Sequence, residues 1–276
     1  MAKKRKSGIS DILIWIAMGA FGILYSLAKL TVQSIFWAIG TSFSKASKAG
    51  NHAARAKHAG ASYQPFSVER KSEGDIAEFE SRISSQSTIG LILGARGSGK
   101  SALGMRILEN MAAKGRKVCA MGFDESSLPS WITSVEKVEE IPNGSFVLVD
   151  EGGILFSSRD SQSSGNKLLS SLLLVARHKD LSVLFISQNS ANLEINSIRQ
   201  ADYLLMRKPS LLQKEFERKK IGKIYDGVDF SSLPDGGKHS TYIYSDEFRG
   251  FAANGLPSFW SSRASKSFAQ LKLNQK

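Results

Sequence analysis

Eight consecutive residues have the types and spacing of a phosphate-binding loop. The pattern G-x-x-x-x-G-K-[ST] is matched by Gly94, Ala95, Arg96, Gly97, Ser98, Gly99, Lys100 and Ser101. Glycine at the first and sixth positions lets backbone N–H groups converge on a polyphosphate, and the next helix adds the positive end of its dipole. The pattern predicts that Lys100 reaches the β- and γ-phosphates of ATP, and that the Ser101 hydroxyl ligates Mg²⁺.

The segments on either side of this loop supply the strand and the helix that the motif requires. Ile89–Leu93 is an uninterrupted apolar run that predicts a strand, and Lys100–Ala113 has the pattern of a helix that ends near Gly115. A glycine-rich turn that merely contains Lys and Ser is the alternative. That alternative is disfavoured, because the pattern and its context are both restrictive.

Two consecutive carboxylates follow a second apolar run. Residues 146–149 are typical of a strand buried on both faces, and Asp150 and Glu151 come directly after them. Ligands bind at the carboxyl ends of parallel strands, so both side chains are expected at the phosphate site. We assign Asp150 to Mg²⁺, directly or through water, and Glu151 to orienting and polarising the attacking water. A surface turn is the alternative.

A third strand, predicted at residues 183–186, also ends in polar residues. Gln188 follows it, and its amide is expected to contact the γ-phosphate or the lytic water and so to report the nucleotide state. An ordinary turn residue is the alternative interpretation. A predicted helix at residues 167–178 precedes this strand and ends close to Arg177.

Three segments together resemble a known superfamily. GARGSGKS, FVLVDE and ARHKDLSVLFISQN resemble the FtsK and HerA superfamily of P-loop ATPases, in which a glutamine ends the strand after the Asp-Glu strand. The Arg-His pair is similar to that of the genome-packaging ATPases of membrane-containing icosahedral DNA viruses. The resemblance covers about residues 88–209, which is less than half of the chain.

This resemblance implies a homo-oligomeric ring of subunits that pump double-stranded DNA, with an arginine from one subunit completing the site of its neighbour. Arg177 is the first candidate for that arginine, and Arg159 and Arg199 are held in reserve. A helix-end arginine bonded to its own carbonyl groups is an equally good interpretation of Arg177. Capsid or vertex proteins would be the docking partners.

The fold predicted from these elements is a three-layer α/β P-loop NTPase with a mainly parallel sheet, spanning residues 73–260. Other predicted elements are helices at residues 76–83, 131–141 and 211–223, strands at residues 117–123, 201–206 and 240–244, and an aromatic closing segment at residues 248–260. Residues 152–166 are rich in Gly and Ser and are expected to form a loop above the site.

The net charge of +12 is concentrated in the flanks. Residues 1–71 carry 11 basic and 2 acidic side chains, residues 72–205 carry 13 and 16, and residues 206–276 carry 13 and 7. Basic flanks favour binding to nucleic acid or to anionic lipid. For the first flank, basic residues that merely fix membrane topology are an equally good explanation.

The first 44 residues are expected to associate with a membrane. The uncharged residues 12–28 would form a helix of about 25 Å, slightly shorter than a hydrocarbon core of about 30 Å. Residues 32–43 have the pattern of an amphipathic helix at the interface. Topology is left open, and two apolar helices packed in an oligomer are the alternative. Residues 45–72 are expected to be a linker and residues 261–276 a basic tail.

The sequence thus predicts an ATPase that packages viral double-stranded DNA into a membrane-containing capsid. It would act at the internal membrane of the virion or at the host cytoplasmic membrane, with its ATPase domain facing ATP. A Zot-like membrane ATPase that assembles phage or secretes protein is the main alternative, although in Zot-type proteins the membrane segment follows the nucleotide domain. A nucleotide-binding scaffold with little turnover is a third possibility.

Overall fold

The structure is a computed structural model that describes residues 60–151, 163–237 and 239–260. The strands within these ranges are β1 (Ser67–Gly74), β2 (Ile89–Leu93), β3 (Val118–Met121), β4 (Thr133–Ser134), β5 (Phe146–Asp150), β6 (Ser182–Ile186), β7 (Tyr203–Met206), β8 (Thr241–Tyr244) and β9 (Phe248–Ala253). The helices are α1 (Ile76–Ser85), α2 (Lys100–Ala113), α3 (Ser163–Lys179), α4 (Ile195–Arg199), α5 (Leu211–Glu215) and α6 (Lys219–Asp226).

All of these strands belong to one sheet, in the order β1-β9-β8-β7-β2-β6-β5-β3-β4. The six strands from β7 to β4 are parallel, and β8, β9 and β1 extend the sheet in antiparallel fashion. The prediction of a mainly parallel sheet is therefore confirmed. Strand β6 lies between β2 and β5, where Ile186 pairs with both Ile92 and Asp150. This register brings the loops that follow β2, β5 and β6 to one edge of the sheet.

Separate apolar cores cover the two faces of the sheet, because successive strand side chains point to opposite sides. One core joins alternate strand residues to α3 and α6, and the other joins the intervening residues to α1 and α2. In β6, Val183 and Phe185 lie in the first core, whereas Leu184 and Ile186 lie in the second. All four are at most 3% exposed. The predicted three-layer arrangement is thus confirmed.

The helix predicted at residues 131–141 is wrong. This stretch forms the short strand β4 and a 3-10 turn at Val138–Glu140. The Val135 N–H donates to the Ala120 carbonyl (3.0 Å), which continues the pairing with β3. The buried apolar residues of this stretch recur at every third position: Ile132, Val135, Val138 and Ile141. These side chains are buried against the edge of the sheet, although the stretch is not helical.

Two further predictions differ from the structure. The helix predicted at residues 211–223 is divided into α5 and α6, because the Arg218 N–H at the junction bonds to Glu217 Oε1 (3.3 Å) instead of to a helix carbonyl. The side chains of Glu217 and Arg218 bond to Ser190. Residues 67–72, expected to belong to a linker, form most of β1. Every residue of β1 is exposed, so the strand carries no alternating apolar signal, and it is held by backbone pairing with β9.

The predicted membrane-associated residues 1–44 and the basic tail at residues 261–276 lie outside the described residues, as do residues 45–59 of the linker. Among the helices that the structure describes, none is both long and apolar enough to cross a membrane.

A buried carboxylate on α2 attaches the two ends of the described chain to that helix. Glu109 is fully buried and pairs with Arg106 at 2.8 Å. It also accepts hydrogen bonds from the backbone N–H groups and the hydroxyls of Ser62 and Ser258. Burial opposes ionisation, but the hydrogen bonds from Ser258 and Ser62 prevail, so the pKa of Glu109 lies below its usual value. The segments around Ser62 and Ser258 are thereby held on the same helix.

We expect Glu109→Ala to destabilise the domain by about 3–5 kcal/mol, because it leaves the Arg106 charge buried without its partner. Urea unfolding at pH 7 measures this loss. Because folding lowers the pKa of Glu109, its contribution to stability is present above the unfolded carboxyl pKa and is lost as the pH falls through the folded pKa. The unfolding free energies of wild type and Glu109→Ala should therefore become equal in acid. The control, Glu136→Ala at an exposed position, should change stability by less than about 0.5 kcal/mol. Equal effects of the two substitutions would contradict the role of Glu109.

Candidate nucleotide-binding and hydrolysis site

The loop between β2 and α2 has a backbone that depends on glycine. Gly94, Gly97 and Gly99 have φ angles of 147°, 77° and 86°. Gly99 is the N-cap residue of α2 and adopts the left-handed conformation. Since it has no side chain, it does not cap the first N–H groups of the helix, which leaves them to an anionic ligand.

Lys100 lies beneath this loop and is 7% exposed. Its Nζ donates hydrogen bonds to the carbonyl oxygens of Gly94 (2.7 Å) and Ala95 (2.8 Å). Burial lowers the pKa of the Lys100 ammonium to about 8; Asp150 and Glu151 oppose this, and Arg207 adds to it. An anionic phosphate would favour the charged form of this lysine.

The two predicted metal ligands are in contact. The Ser101 hydroxyl donates to Asp150 Oδ2 (3.0 Å), at the point where β5 ends and α2 begins. No group of three or more His, Cys, Asp and Glu side chains that could hold a metal occurs among the described residues. One hydroxyl and one carboxylate nevertheless suit Mg²⁺, which keeps several waters and combines few protein oxygens with the phosphates of its substrate.

Glu151 is held at the same edge by the residues that follow β6. Its Oε2 accepts a hydrogen bond from the Ser187 hydroxyl (2.6 Å), and the Gln188 N–H also bonds to it. Burial raises the pKa of Glu151 and Asp150 adds to that effect, whereas the bonds from Ser187 and Gln188 and the charge of Lys100 oppose it. Ser187 is 1% exposed. The sequence alone indicates no role for Ser187, because its contact with Glu151 depends on the strand order.

The turn that begins at Gln188 is fastened to the junction between α5 and α6. Gln188 is exposed, and its carbonyl accepts from Gln213 Nε2 (2.6 Å). Ser190 donates its N–H to Glu217 Oε1 (2.8 Å), and Arg218 Nε donates to the Ser190 carbonyl (2.8 Å). The turn beside Glu151 is therefore connected by hydrogen bonds to a helical corner outside the site.

The two candidate trans-acting arginines that the structure describes, Arg177 and Arg199, do not lie at this edge. Arg177 is exposed in the last turn of α3. Nearby, the Lys179 carbonyl accepts from the Gly144 N–H (2.8 Å), shortly before β5 begins, so this end of α3 lies at the opposite edge of the sheet from the loop. Arg199 is exposed at the end of α4, and Arg159 lies outside the described residues. Arg177 and the phosphate-binding loop therefore lie at opposite edges of the sheet in the same chain.

One buried cation at the site was not predicted. Arg207 directly follows β7 and is 7% exposed, and its Nε donates to the Ser98 carbonyl of the loop (2.8 Å). Burial lowers the pKa of Arg207 to about 10. In the sequence this arginine only marks the end of a strand, because its position under the loop depends on the pairing of β7 with β2.

No protein-family model matches the sequence, and no curated protein matches it. Several solved structures are similar in fold. B204, the DNA-packaging ATPase from Sulfolobus turreted icosahedral virus, is 15% identical with a TM-score of 0.44, over 62% of this chain and 98% of B204. The pCW3 conjugation coupling protein TcpA, in a structure with ATPγS, is 14% identical with a TM-score of 0.45, over 80% and 76% of the two chains.

EssC ATPases 2 and 3 from Geobacillus thermodenitrificans are 10% identical with a TM-score of 0.44, over 78% of this chain and 50% of that one. A likeness at such low identity concerns the fold alone.

We expect Gly94→Ala to weaken ATP binding by about tenfold or more, because overpacking costs roughly 1–3 kcal/mol. A Cβ at this position would lie 2.7 Å from Arg207 Cβ, in a backbone conformation with positive φ. Titration with a fluorescent ATP analogue measures the affinity.

Gly115→Ala is the matched control, since Gly115 has a φ of 83° and no atom within 4 Å of an added Cβ, and it lies at the far end of α2. It should cost only the left-handed strain of about 1–2 kcal/mol in folding stability and leave the affinity unchanged. Similar affinities for both variants would show that crowding at Gly94 is unimportant.

Proposed function

We propose that the protein binds and hydrolyses MgATP. The observation that carries this proposal is the convergence of Lys100, Ser101, Asp150 and Glu151 at one sheet edge, beside a glycine-dependent loop at a helix N-terminus. Each side chain comes from the element that the motif requires. The position of Gln188 next to Glu151 gives further support.

The residues of the site have different chemical roles. The loop N–H groups and Lys100 bind the β- and γ-phosphates, and Ser101 and Asp150 would hold Mg²⁺, which neutralises charge on those phosphates. Glu151 orients the attacking water and accepts its proton. A carboxylate has about four acceptor positions, so Glu151 can bond a water while Ser187 and the Gln188 N–H fix its direction. Its raised pKa suits a group that accepts a proton.

Glu151→Gln should preserve ATP affinity and reduce turnover by about 100-fold or more, since the amide keeps the shape of the side chain but cannot accept the proton. Steady-state phosphate release and equilibrium binding measure the two effects separately. Glu136→Gln, at an exposed position, serves as the control and should match the wild type. Unchanged turnover in Glu151→Gln would remove Glu151 from this role.

We further propose that hydrolysis drives the movement of double-stranded DNA by a homo-oligomeric ring, during packaging into a membrane-containing capsid. The basic flanks support a DNA partner, and so do Lys219, Lys220 and Lys223, which are exposed on α6. Two other basic residues of this region are engaged within the chain: Arg218 bonds to the Ser190 carbonyl, and Lys214 pairs with Asp226 (2.8 Å). The location of Arg177 supports a role in trans.

Membrane association of residues 1–44, at the internal membrane of the virion or at the host cytoplasmic membrane, is part of this proposal, as is docking to capsid or vertex proteins. The alternative remains a Zot-like ATPase that moves protein. The exposed lysines of α6 favour DNA over protein as the cargo.

Duplex DNA should stimulate ATP hydrolysis at low salt, and the stimulation should fall steeply as salt rises, because each phosphate contact releases counterions. Replacing Lys219, Lys220 and Lys223 together by Gln should lower the slope of log affinity against log salt by up to about 3. The same replacement of Lys114, Lys117 and Lys137, which are exposed elsewhere, provides the control. Hydrolysis that ignores DNA but responds to a capsid or coat protein would favour the alternative.

A further inference from the structure

Arg207 occupies the space beneath the phosphate-binding loop and connects it to the antiparallel part of the sheet. Its Nε donates to the Ser98 carbonyl (2.8 Å). One terminal nitrogen donates to the His239 carbonyl (2.8 Å) and to Thr241 Oγ1 (3.1 Å), at the start of β8. Thr241 is fully buried. A planar guanidinium can make these bonds in fixed relative directions, which a lysine ammonium cannot do.

The two glycines that the loop motif requires both lie against this side chain. A Cβ on Gly94 would be 2.7 Å from Arg207 Cβ, and a Cβ on Gly99 would be 3.0 Å from a terminal nitrogen of Arg207. By contrast, a Cβ on Gly97 would meet no atom within 4 Å. Gly94 and Gly99 therefore provide the room that the arginine fills, in addition to their unusual φ angles.

The bond to Ser98 determines the direction of a neighbouring donor. In a trans peptide the C=O and the N–H point to opposite sides of the chain. Because Arg207 holds the Ser98 carbonyl on its own side, the Gly99 N–H points away from Arg207. The loop can therefore receive a phosphate on that opposite side, where the helix dipole of α2 also favours an anion.

Backbone bonds from the end of β7 reinforce this arrangement. The Arg207 N–H donates to the Leu93 carbonyl (2.8 Å), and the Lys208 carbonyl accepts from the Ala95 N–H (3.3 Å). The start of the loop is thus attached at Ala95 to the segment after β7 through the backbone, and the Ser98–Gly99 peptide is attached through the Arg207 side chain. Loss of that side chain would leave only the first part of the loop fixed.

We propose that Arg207 is a positioning residue that holds the phosphate-binding loop in its nucleotide-binding shape through the Ser98 carbonyl. This inference rests on the proposed binding of ATP. It assigns to Arg207 no contact with the γ-phosphate, so its removal should weaken ATP and ADP binding by the same factor.

The test compares the affinities of wild type, Arg207→Gln, Arg207→Lys and Thr241→Val for ATP and for ADP, each with Mg²⁺. Loss of a hydrogen bond to a charged group predicts an affinity at least about tenfold weaker in Arg207→Gln, equally for both nucleotides. Arg207→Lys keeps the charge but not the planar fork, so it should recover only part of the loss. Thr241→Val keeps the arginine and removes one acceptor, and should weaken both nucleotides by about threefold.

Arg116→Gln is the matched control. Arg116 is also partly buried and donates to backbone carbonyls, but it lies at the opposite edge of the sheet near Gly144. It should lower the melting temperature and leave both affinities unchanged. If Arg207→Gln and Arg116→Gln both lose stability but keep wild-type affinity, Arg207 is merely structural and the inference is wrong.

Three other outcomes would also decide whether Arg207 has this role. A loss for ATP with normal ADP binding would mean that Arg207 acts on the γ-phosphate directly, which overturns the positioning role. If Arg207→Gln does not fold, wild-type affinity in both Arg207→Lys and Thr241→Val would overturn the inference. A wild-type protein that binds neither nucleotide would refute the proposed function itself, and this result is distinct from any difference among variants.

Discussion

The pairing of β6 with β2 on one side and β5 on the other is the constraint on which the site depends. Through Ile186, this register aligns the end of β5 with the end of β2. Two carboxylates and two buried cations then meet within a small volume, and their burial shifts the pKa values of Lys100, Glu151 and Arg207. In water these charges would be stabilised by solvent. At the buried edge of the sheet, each charge is stabilised instead by the other charges and by backbone dipoles. The proposed MgATP would add charges of both signs to this arrangement.

The parts of the site that lie within one contiguous stretch could be predicted from the sequence. The loop motif specifies Gly94, Gly99, Lys100 and Ser101 by their spacing, and the Asp-Glu pair follows an obvious buried strand. Ser187 and Arg207 could not be assigned in this way. Ser187 bonds to Glu151, which follows a different strand, and Arg207 bonds to Ser98 in the loop after another strand. Both contacts therefore depend on which strands are neighbours in the sheet. A single sequence contains local periodicity but not the order of strands in the sheet.

The errors in secondary structure have the same origin. A three-residue apolar repeat at residues 132–141 is compatible with a helix or with a chain that packs against a sheet edge, and the Val135 bond to Ala120 decides between them. The charged stretch at residues 211–223 has the pattern of one helix, yet it is interrupted at Glu217 and Arg218, whose side chains bond to Ser190. The same bonds fasten the turn beside Glu151 to a corner that exposes Leu211, Leu212 and Phe216, each more than 70% accessible. Local preference thus yields to contacts made at long sequence separation.

The bonds that Glu109 accepts from Ser62 and Ser258 determine where a pulling force on the domain would act. Ser62 and Ser258 bond to the same carboxylate, so the polypeptide enters and leaves the described domain at one place on α2. The first residue of that helix is Lys100. Tension applied at Ser62 or at Ser258 would therefore act on the helix whose other end carries the glycine-rich loop motif, and the two segments would share a single anchor on that helix.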